Sequence, residues 1–239
     1  MANWITHTRI ADILIDKGLD VDKKGFCIGN IAPDCNIENE DWTAYIPSTE
    51  VTHFMTKSKN KTTSDYEGFY MKYIENKTFE SKEKYSFLLG YYSHLITDAQ
   101  YQLFIRNNER LIDCFNRIKS NIEMYKKIEG YPETFDTLKK VFGKWNVFAE
   151  IIELENKYII DNPNCSYTQI LRTTNNFPDY MDFLPKNAIN RKLPIMIKEY
   201  DEWSSVKGSG FYFFSIEEYE NYLEETSNLI YIHLLNKMI

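Results

Sequence analysis

The chain holds four histidines. Three of them, His7, His53 and His94, fall in one series with two aspartates, Asp34 and Asp98. His94 and Asp98 stand four residues apart at the end of the run Lys84-Tyr85-Ser86-Phe87-Leu88-Leu89-Gly90-Tyr91-Tyr92-Ser93-His94-Leu95-Ile96-Thr97-Asp98. Its apolar and aromatic positions recur at helical spacing, and residues four apart share one helix face. An imidazole and a carboxylate turned toward a core need a partner. The plain partner is each other, as a buried ion pair. The other is a metal, because neutral imidazole nitrogen and carboxylate oxygen are the donors that zinc accepts.

The elements that must position these groups can also be read. Thr6 is a helix N-cap residue type, and Ile10, Ile13 and Leu14 beyond it repeat at helical spacing, which puts His7 at a helix N-terminus. Gly29-Asn30-Ile31-Ala32-Pro33-Asp34 reads as a loop, with Ala32 held out of the helical region by the following proline. A stiff loop of that kind can aim Asp34. Thr52-His53-Phe54 follows a polar stretch with Pro47, Ser48 and Thr49, again a place where a loop can deliver a side chain.

Thr6-His7-Thr8 with Ile10-Ala11, Gly29-Asn30-Ile31-Ala32-Pro33-Asp34, His53-Phe54, and Leu89-Gly90-Tyr91-Tyr92-Ser93-His94-Leu95-Ile96-Thr97-Asp98 together resemble the zinc-dependent phospholipase C family, whose relatives include zinc-dependent single-strand nucleases. The resemblance runs to about Arg106. It implies an all-α fold with a cleft holding clustered zinc ions that activate water against a phosphodiester. It further implies that Asp34, His53, His94 and Asp98 hold one metal, and that Asp98 bridges to a second shared with His7. Asp34 and Asp98 are then the candidate catalytic groups. The chain departs from the family pattern at three places. Phe104 stands where the phospholipases have a further histidine. His233 is followed four residues on by Lys237 rather than by glutamate. Trp4 is internal, whereas the secreted phospholipases use the amine and carbonyl of a processed N-terminal tryptophan. One firm zinc site and a second, weaker one are therefore expected.

At 239 residues, 43% hydrophobic and 26% charged, the composition fits a globular protein read as one domain over residues 1–239. No basic then apolar leader opens the sequence, and no run of about 18 or more apolar residues could span a bilayer. Cys27, Cys35, Cys114 and Cys165 show no close pairing, which points to packed, reduced thiols and, with the missing leader, to a cytoplasmic protein. The net charge is −7, and no stretch interleaves lysine or arginine with aromatics, so a nucleic-acid partner is not expected. The expected substrate is a small phosphoester or a phospholipid head group. The resulting reading is a metal-dependent phosphoester hydrolase; the alternative is a metal-stabilised structural or interaction protein whose catalytic set has eroded.

Helix signals continue along the chain. They predict a helix from Thr6 to about Lys17, a capping box at Ser64-Asp65-Tyr66-Glu67 opening a helix through Ile74, and a long helix from about Ser81 to Arg106. Asn108 to Ile128 and Pro132 to Ile160 each read as one amphipathic segment, Asn187 to Trp203 as a helix kinked at Pro194, and Ser215 with Glu218 as the cap of a last helix. In Ser204 to Phe214 the glycines suggest a cleft lip, but aromatics such as Phe211 to Phe214 more often anchor a loop to a core. Gln102 continues the polar face of Asp98. Trp4 and Tyr91 are candidate walls of the site, and Asp179 and Asp182 are candidates to complete the second metal's shell. His233 reads as a packed, helix-end residue. The Asn-X-Ser/Thr triplets at Asn60, Asn76 and Asn164 are expected by chance.

Overall fold

In the computed structural model the fold is all-α, with helices as its main elements and one two-stranded hairpin. Residues 2–41, 43–55 and 64–237 are described; Asn60, the start of one triplet, lies outside them.

The axis of the molecule is the helix over Lys82–Ile105, which begins where the Ser81 side chain accepts the Lys84 amide at 3.1 Å. Every residue from Ser86 to Ala99 on it is buried. A helix apolar all round must be surrounded, and the rest of the fold does this. Lys23–Gly29 packs closest. A Cβ on Gly29 would overlap the Phe87 carbonyl, and one on Gly90 would overlap the Phe26 carbonyl, so these two glycines let the two backbones touch. Trp4–Asp16 packs alongside, and Ile216–Lys237 closes over the axis from the other end of the chain. In chain order these are α1 (Trp4–Asp16), α2 (Lys23–Gly29), α5 (Lys82–Ile105) and α12 (Ile216–Lys237).

The first helix starts earlier than its sequence signal. Asn3, not Thr6, is the N-cap: its side chain accepts the Thr6 amide at 2.8 Å, and Thr6 lies inside the first turn. The stretch after α2 is not an open loop either. Ala32–Asp34 forms a 3₁₀ turn, and Pro33 is tolerated within its first residues because it has no N–H to leave unpaired. A short antiparallel hairpin follows, β1 (Ile37–Glu38) against β2 (Tyr45–Ile46), with Ile37 opposite Ile46. Next come α3 (Thr49–Thr52) and α4 (Tyr66–Tyr73). Asp65 caps α4 by accepting the Gly68 amide at 2.9 Å, while Ser64 is used in an isolated bridge to Met55 instead of the expected capping box.

Two segments read as single helices are broken. Asn108 to Ile128 divides into α6 (Asn108–Lys119) and α7 (Ile122–Ile128), because Asn121 caps the second by accepting the Glu123 and Met124 amides. Pro132 to Ile160 divides into α8 (Phe135–Phe142) and α9 (Lys144–Asp161) at Gly143, whose φ of 87° ends the first helix. After α10 (Ser166–Gln169) and a 3₁₀ turn, α11 (Ala188–Trp203) carries Pro194 within it. Ser215 and Glu218 exchange amide hydrogen bonds at the start of α12 as the capping pattern predicts.

The Ser204 to Phe214 stretch is anchored. Phe213 and Phe214 are buried, and the Glu150 carboxylate of α9 accepts the amides of Tyr212, Phe213 and Phe214. No helix among the described residues is long and apolar enough to cross a membrane.

Candidate metal centre

Each of the five side chains arrives by a different local device. His7 lies one turn into α1 and is fully buried. The 3₁₀ turn over Ala32–Asp34 aims the half-buried Asp34. His53 follows α3, and Phe54 immediately after it has φ 51°, turning the chain away in a conformation uncommon for a bulky residue. His94 and Asp98 project from the same face of α5, as their spacing implies.

All five converge. His53 Nε2 is 3.3 Å from Asp34 Oδ1, 3.5 Å from Asp98 Oδ2 and 3.2 Å from His94 Nε2. His94 Nε2 is 3.6 Å from Asp98 Oδ2, and His7 Nε2 is 3.4 Å from Asp98 Oδ1. The His7 and His94 rings stack with centroids 3.7 Å apart and planes within 9°. Two overlapping donor sets result: Asp34, His53 and His94, and His7, His94 and Asp98, each with ligand atoms within 4.8 Å of one another. Asp98 presents one oxygen to His7 and the other to His53 and His94.

The hydrogen bonds behind the imidazoles decide what the centre wants. His94 Nδ1 lies 2.7 Å from the Asn30 carbonyl, which can only accept, so the proton of the neutral ring is on Nδ1. His53 Nδ1 faces the Thr49 carbonyl at 3.2 Å and the Thr52 hydroxyl at 2.9 Å, which places its proton likewise. Both Nε2 atoms then present lone pairs to each other and to two carboxylates. His7 has neither ring nitrogen hydrogen-bonded, and Asp98 Oδ2 is also without a hydrogen bond. With both rings neutral these buried acceptors face one another with no donor between them, which is costly; without a metal, a proton on His94 relieves it. A divalent cation removes that cost, and Nδ1–H bonded to carbonyl oxygen is the usual support of a metal-ligating histidine. The donor set therefore fits zinc.

Without a metal, electrostatics set the protonation of the group. Burial, and then the stacked His94, push His7 down to about 4. Burial also opposes charge on His94, but Asp98 and Asp34 outweigh it and hold that ring above its ordinary value. Burial alone would raise Asp34 and Asp98; the facing imidazoles reverse this, and Asp98 lies well below the usual carboxylate range.

Other residues named from the sequence are placed as follows. Trp4 and Gln102 line a cleft of about 540 Å³ together with Asp34 and His53. Tyr91 does not wall it. It is buried behind His53, where its hydroxyl donates to the Thr52 carbonyl at 2.5 Å. Asp179 and Asp182 do not complete a metal shell: Asp179 accepts the Asn187 amide at 3.0 Å and Asp182 accepts the Tyr73 hydroxyl at 3.2 Å, both in the loop before α11. His233 lies 3.2 Å from the Tyr92 hydroxyl and 3.6 Å from Glu67, packed on the α12 side. Phe104 stacks on Tyr222 with centroids 4.7 Å apart, so an apolar contact fills that position. Cys35, beside Asp34, is buried with its thiol donating to the Ile31 carbonyl, and burial pushes it up.

Three supporting groups have no sequence signal of their own. The Asn30 carbonyl and the Thr49 carbonyl act through backbone. The Ala2 amide donates to Asp98 Oδ1 at 2.7 Å, closing the His7 side of the centre.

Residues 5–101 match the family model described as zinc dependent phospholipase C. The match contains His7, Asp34, His53, His94 and Asp98, and it runs from α1 through most of α5. It supports a metal-dependent phosphoesterase at that coarse level. No curated protein and no solved structure matches the chain.

Proposed function

We propose that the chain is a zinc-dependent hydrolase of phosphodiesters, acting at the centre formed by His7, Asp34, His53, His94 and Asp98. One observation carries this reading. The Nε2 atoms of His53 and His94 face each other at 3.2 Å with their Nδ1 protons already committed elsewhere. That arrangement is built for a cation, and the family match supplies phosphoester chemistry as its use.

When bound, zinc supplies a Lewis acid for a phosphoryl oxygen and a water acidic enough to act near neutral pH. The chain's own groups do the rest. Asp34, His53, His94 and Asp98 are the proposed ligands of the firmer site, and His7 with Asp98 those of the weaker. Asp34 is the one carboxylate of the set that is half-buried and lines the cleft, which suits it to accept a proton from an attacking water. Asp98, with an oxygen toward each donor set, fixes their separation. The substrate is a small phosphodiester or a phospholipid head group, received in the cleft beside Trp4 and Gln102. The whole chain is read as one domain because buried residues from α1 to α12 form one contiguous core. Four buried, unpaired cysteines support a reducing, cytoplasmic setting.

The alternative, a metal that only stabilises the fold, is favoured by the stacking of Phe104 and the displacement of His233 from the centre. The cleft opening on Asp34 and His53 favours catalysis, because a structural zinc site is closed. The test is hydrolysis of bis-p-nitrophenyl phosphate by zinc-loaded protein. Turnover that stops with chelator and returns with zinc is expected. Failure of fully loaded protein to hydrolyse any phosphodiester, phosphomonoester or phospholipid would leave the structural reading.

A further inference from the structure

The chain carries more acid than base, 35 residues against 28. The cleft reverses this. Its acidic lining residues are Asp34 and Glu199, while Arg106, Lys139, Lys144 and Lys192 line it as cations. Lys192 is held by Glu38 at 2.8 Å, which leaves the other three as the distinctive group.

Their placement is ordered. Asp98 and Gln102 stand four residues apart on α5 and Arg106 follows four further on at its C-cap, so a stripe leads from the centre through Gln102 to Arg106. Eight residues of helix rise about 12 Å. The Arg106 guanidinium donates to Gln102 Oε1 and lies 5.9 Å from the centroid of the Phe135 ring, which Lys139 Nζ also approaches at 5.3 Å. Lys144 lines the same cleft, its Nζ 5.1 Å from the centroid of the Trp145 ring. Lys139 pairs with Asp136 at 2.8 Å near the surface; Arg106 and Lys144 have no ion pair among the described residues. Aromatic faces thus hold three of the cleft's cations, and one of them, Lys139, also has an ion pair.

We propose that Arg106, Lys139 and Lys144 form an anion-binding subsite that takes a second phosphate or carboxylate of the substrate, on the far side of the cleft from the phosphodiester. The inference rests on the proposed hydrolase reading and narrows its substrate class to phosphodiesters carrying a further anionic group about one α5 stripe away. Arg106 is the principal contact, because a guanidinium can hold a phosphate through two parallel N–H bonds.

The test reads binding, so it does not depend on turnover. Zinc-loaded full chain is titrated calorimetrically with hexanediol bisphosphate and with hexyl phosphate, and zinc content is checked afterwards. The bisphosphate should bind at least about ten-fold more tightly, one charge-assisted contact's worth. Arg106→Gln should remove most of that advantage, Lys144→Gln about three-fold of it, and added salt should weaken both. Lys140→Gln, a loss of charge on Tyr131 outside the cleft, should leave it unchanged. Vesicles containing a phosphoinositide should compete with the bisphosphate if the second anion belongs to a lipid, and should not if the substrate is soluble. Equal affinity for the two ligands, an advantage untouched by Arg106→Gln, or affinity that grows instead with the length of an oligonucleotide would overturn the subsite. A preserved advantage in a protein without hydrolytic activity would sink the hydrolase reading and leave the subsite standing.

Discussion

Two buried carboxylates, Glu150 and Asp98, are treated in opposite ways. Glu150 is fully buried on α9, and both its oxygens are satisfied: Oε1 accepts the Ser209 hydroxyl and the Tyr212 amide, and Oε2 accepts the Phe213 and Phe214 amides, all at 2.8 Å. Asp98 accepts one amide, from Ala2 on Oδ1, while its Oδ2 has no hydrogen bond and faces His53 and His94. A satisfied buried carboxylate fixes structure, here the chain from Ser209 to Phe214. An under-satisfied one amid imidazoles is what the proposed metal site calls for. The contrast separates what the fold needs for itself from what it holds ready for chemistry.

The largest expected effect falls on the Asp98 side. Asp98→Asn should bring zinc-dependent diester hydrolysis to background, because an amide is a neutral and poorer ligand for both donor sets. Melting of that variant in chelator should stay close to the parent's; unfolding at room temperature would instead make Asp98 a structural group like Glu150. On the other side, Glu150→Ala strips three amides of their acceptor at once. A loss of about 3–5 kcal/mol in denaturant unfolding is expected, with zinc stoichiometry unchanged in the folded fraction. Lost zinc binding in that variant would dissolve the distinction.

Acid should distinguish the two regions even without metal. Unfolded His7 takes up a proton below about pH 6.5, whereas the buried ring resists until about pH 4. Between those values the unfolded chain binds more protons, so stability falls as pH falls. His94, held above its ordinary value, contributes its pH dependence above that range instead. Chelated parent protein should therefore lose up to roughly 3 kcal/mol more than His7→Gln between pH 6.5 and 4. Parallel pH profiles for the two proteins would show that His7 is not the desolvated base described. The smallest effect is expected at Tyr91→Phe. Removing its hydrogen bond to the Thr52 carbonyl should cost about 1 kcal/mol of stability and weaken zinc binding slightly by loosening His53. A full loss of zinc would make Tyr91 part of the centre itself.

Both regions differ in how they show in the sequence. The metal side is legible because its residue types are scarce and its spacing regular: four histidines in all, and His94 to Asp98 one helical step apart. The Glu150 side is not, because one glutamate among many on an amphipathic helix carries no sign that backbone amides some 60 residues later will fold onto it. Helix identity was similarly legible along α5 and α12, where capping residues and periodicity agree. It failed where one residue outweighed the pattern: Asn3 taking the cap from Thr6, Asp65 taking it from Ser64, and Asn121 and Gly143 each dividing an amphipathic run. Asp179 and Asp182 have the chemistry of metal ligands, but a loop amide and a tyrosine hydroxyl use them first. The cationic end of the cleft was invisible for a geometric reason. Arg106 stands more than 30 residues before Lys139 and Lys144, so no single stretch of sequence brings the three together.

The central claim is that these five side chains hold zinc. Its most direct test is an anomalous difference map from crystals of zinc-loaded protein, recorded at the zinc edge. A peak about 2.0–2.2 Å from His53 Nε2, His94 Nε2 and carboxylate oxygens of Asp34 and Asp98 is expected, with a weaker one reached by His7. A map without a peak at the centre, or with the His53 and His94 rings turned away from each other, would contradict it.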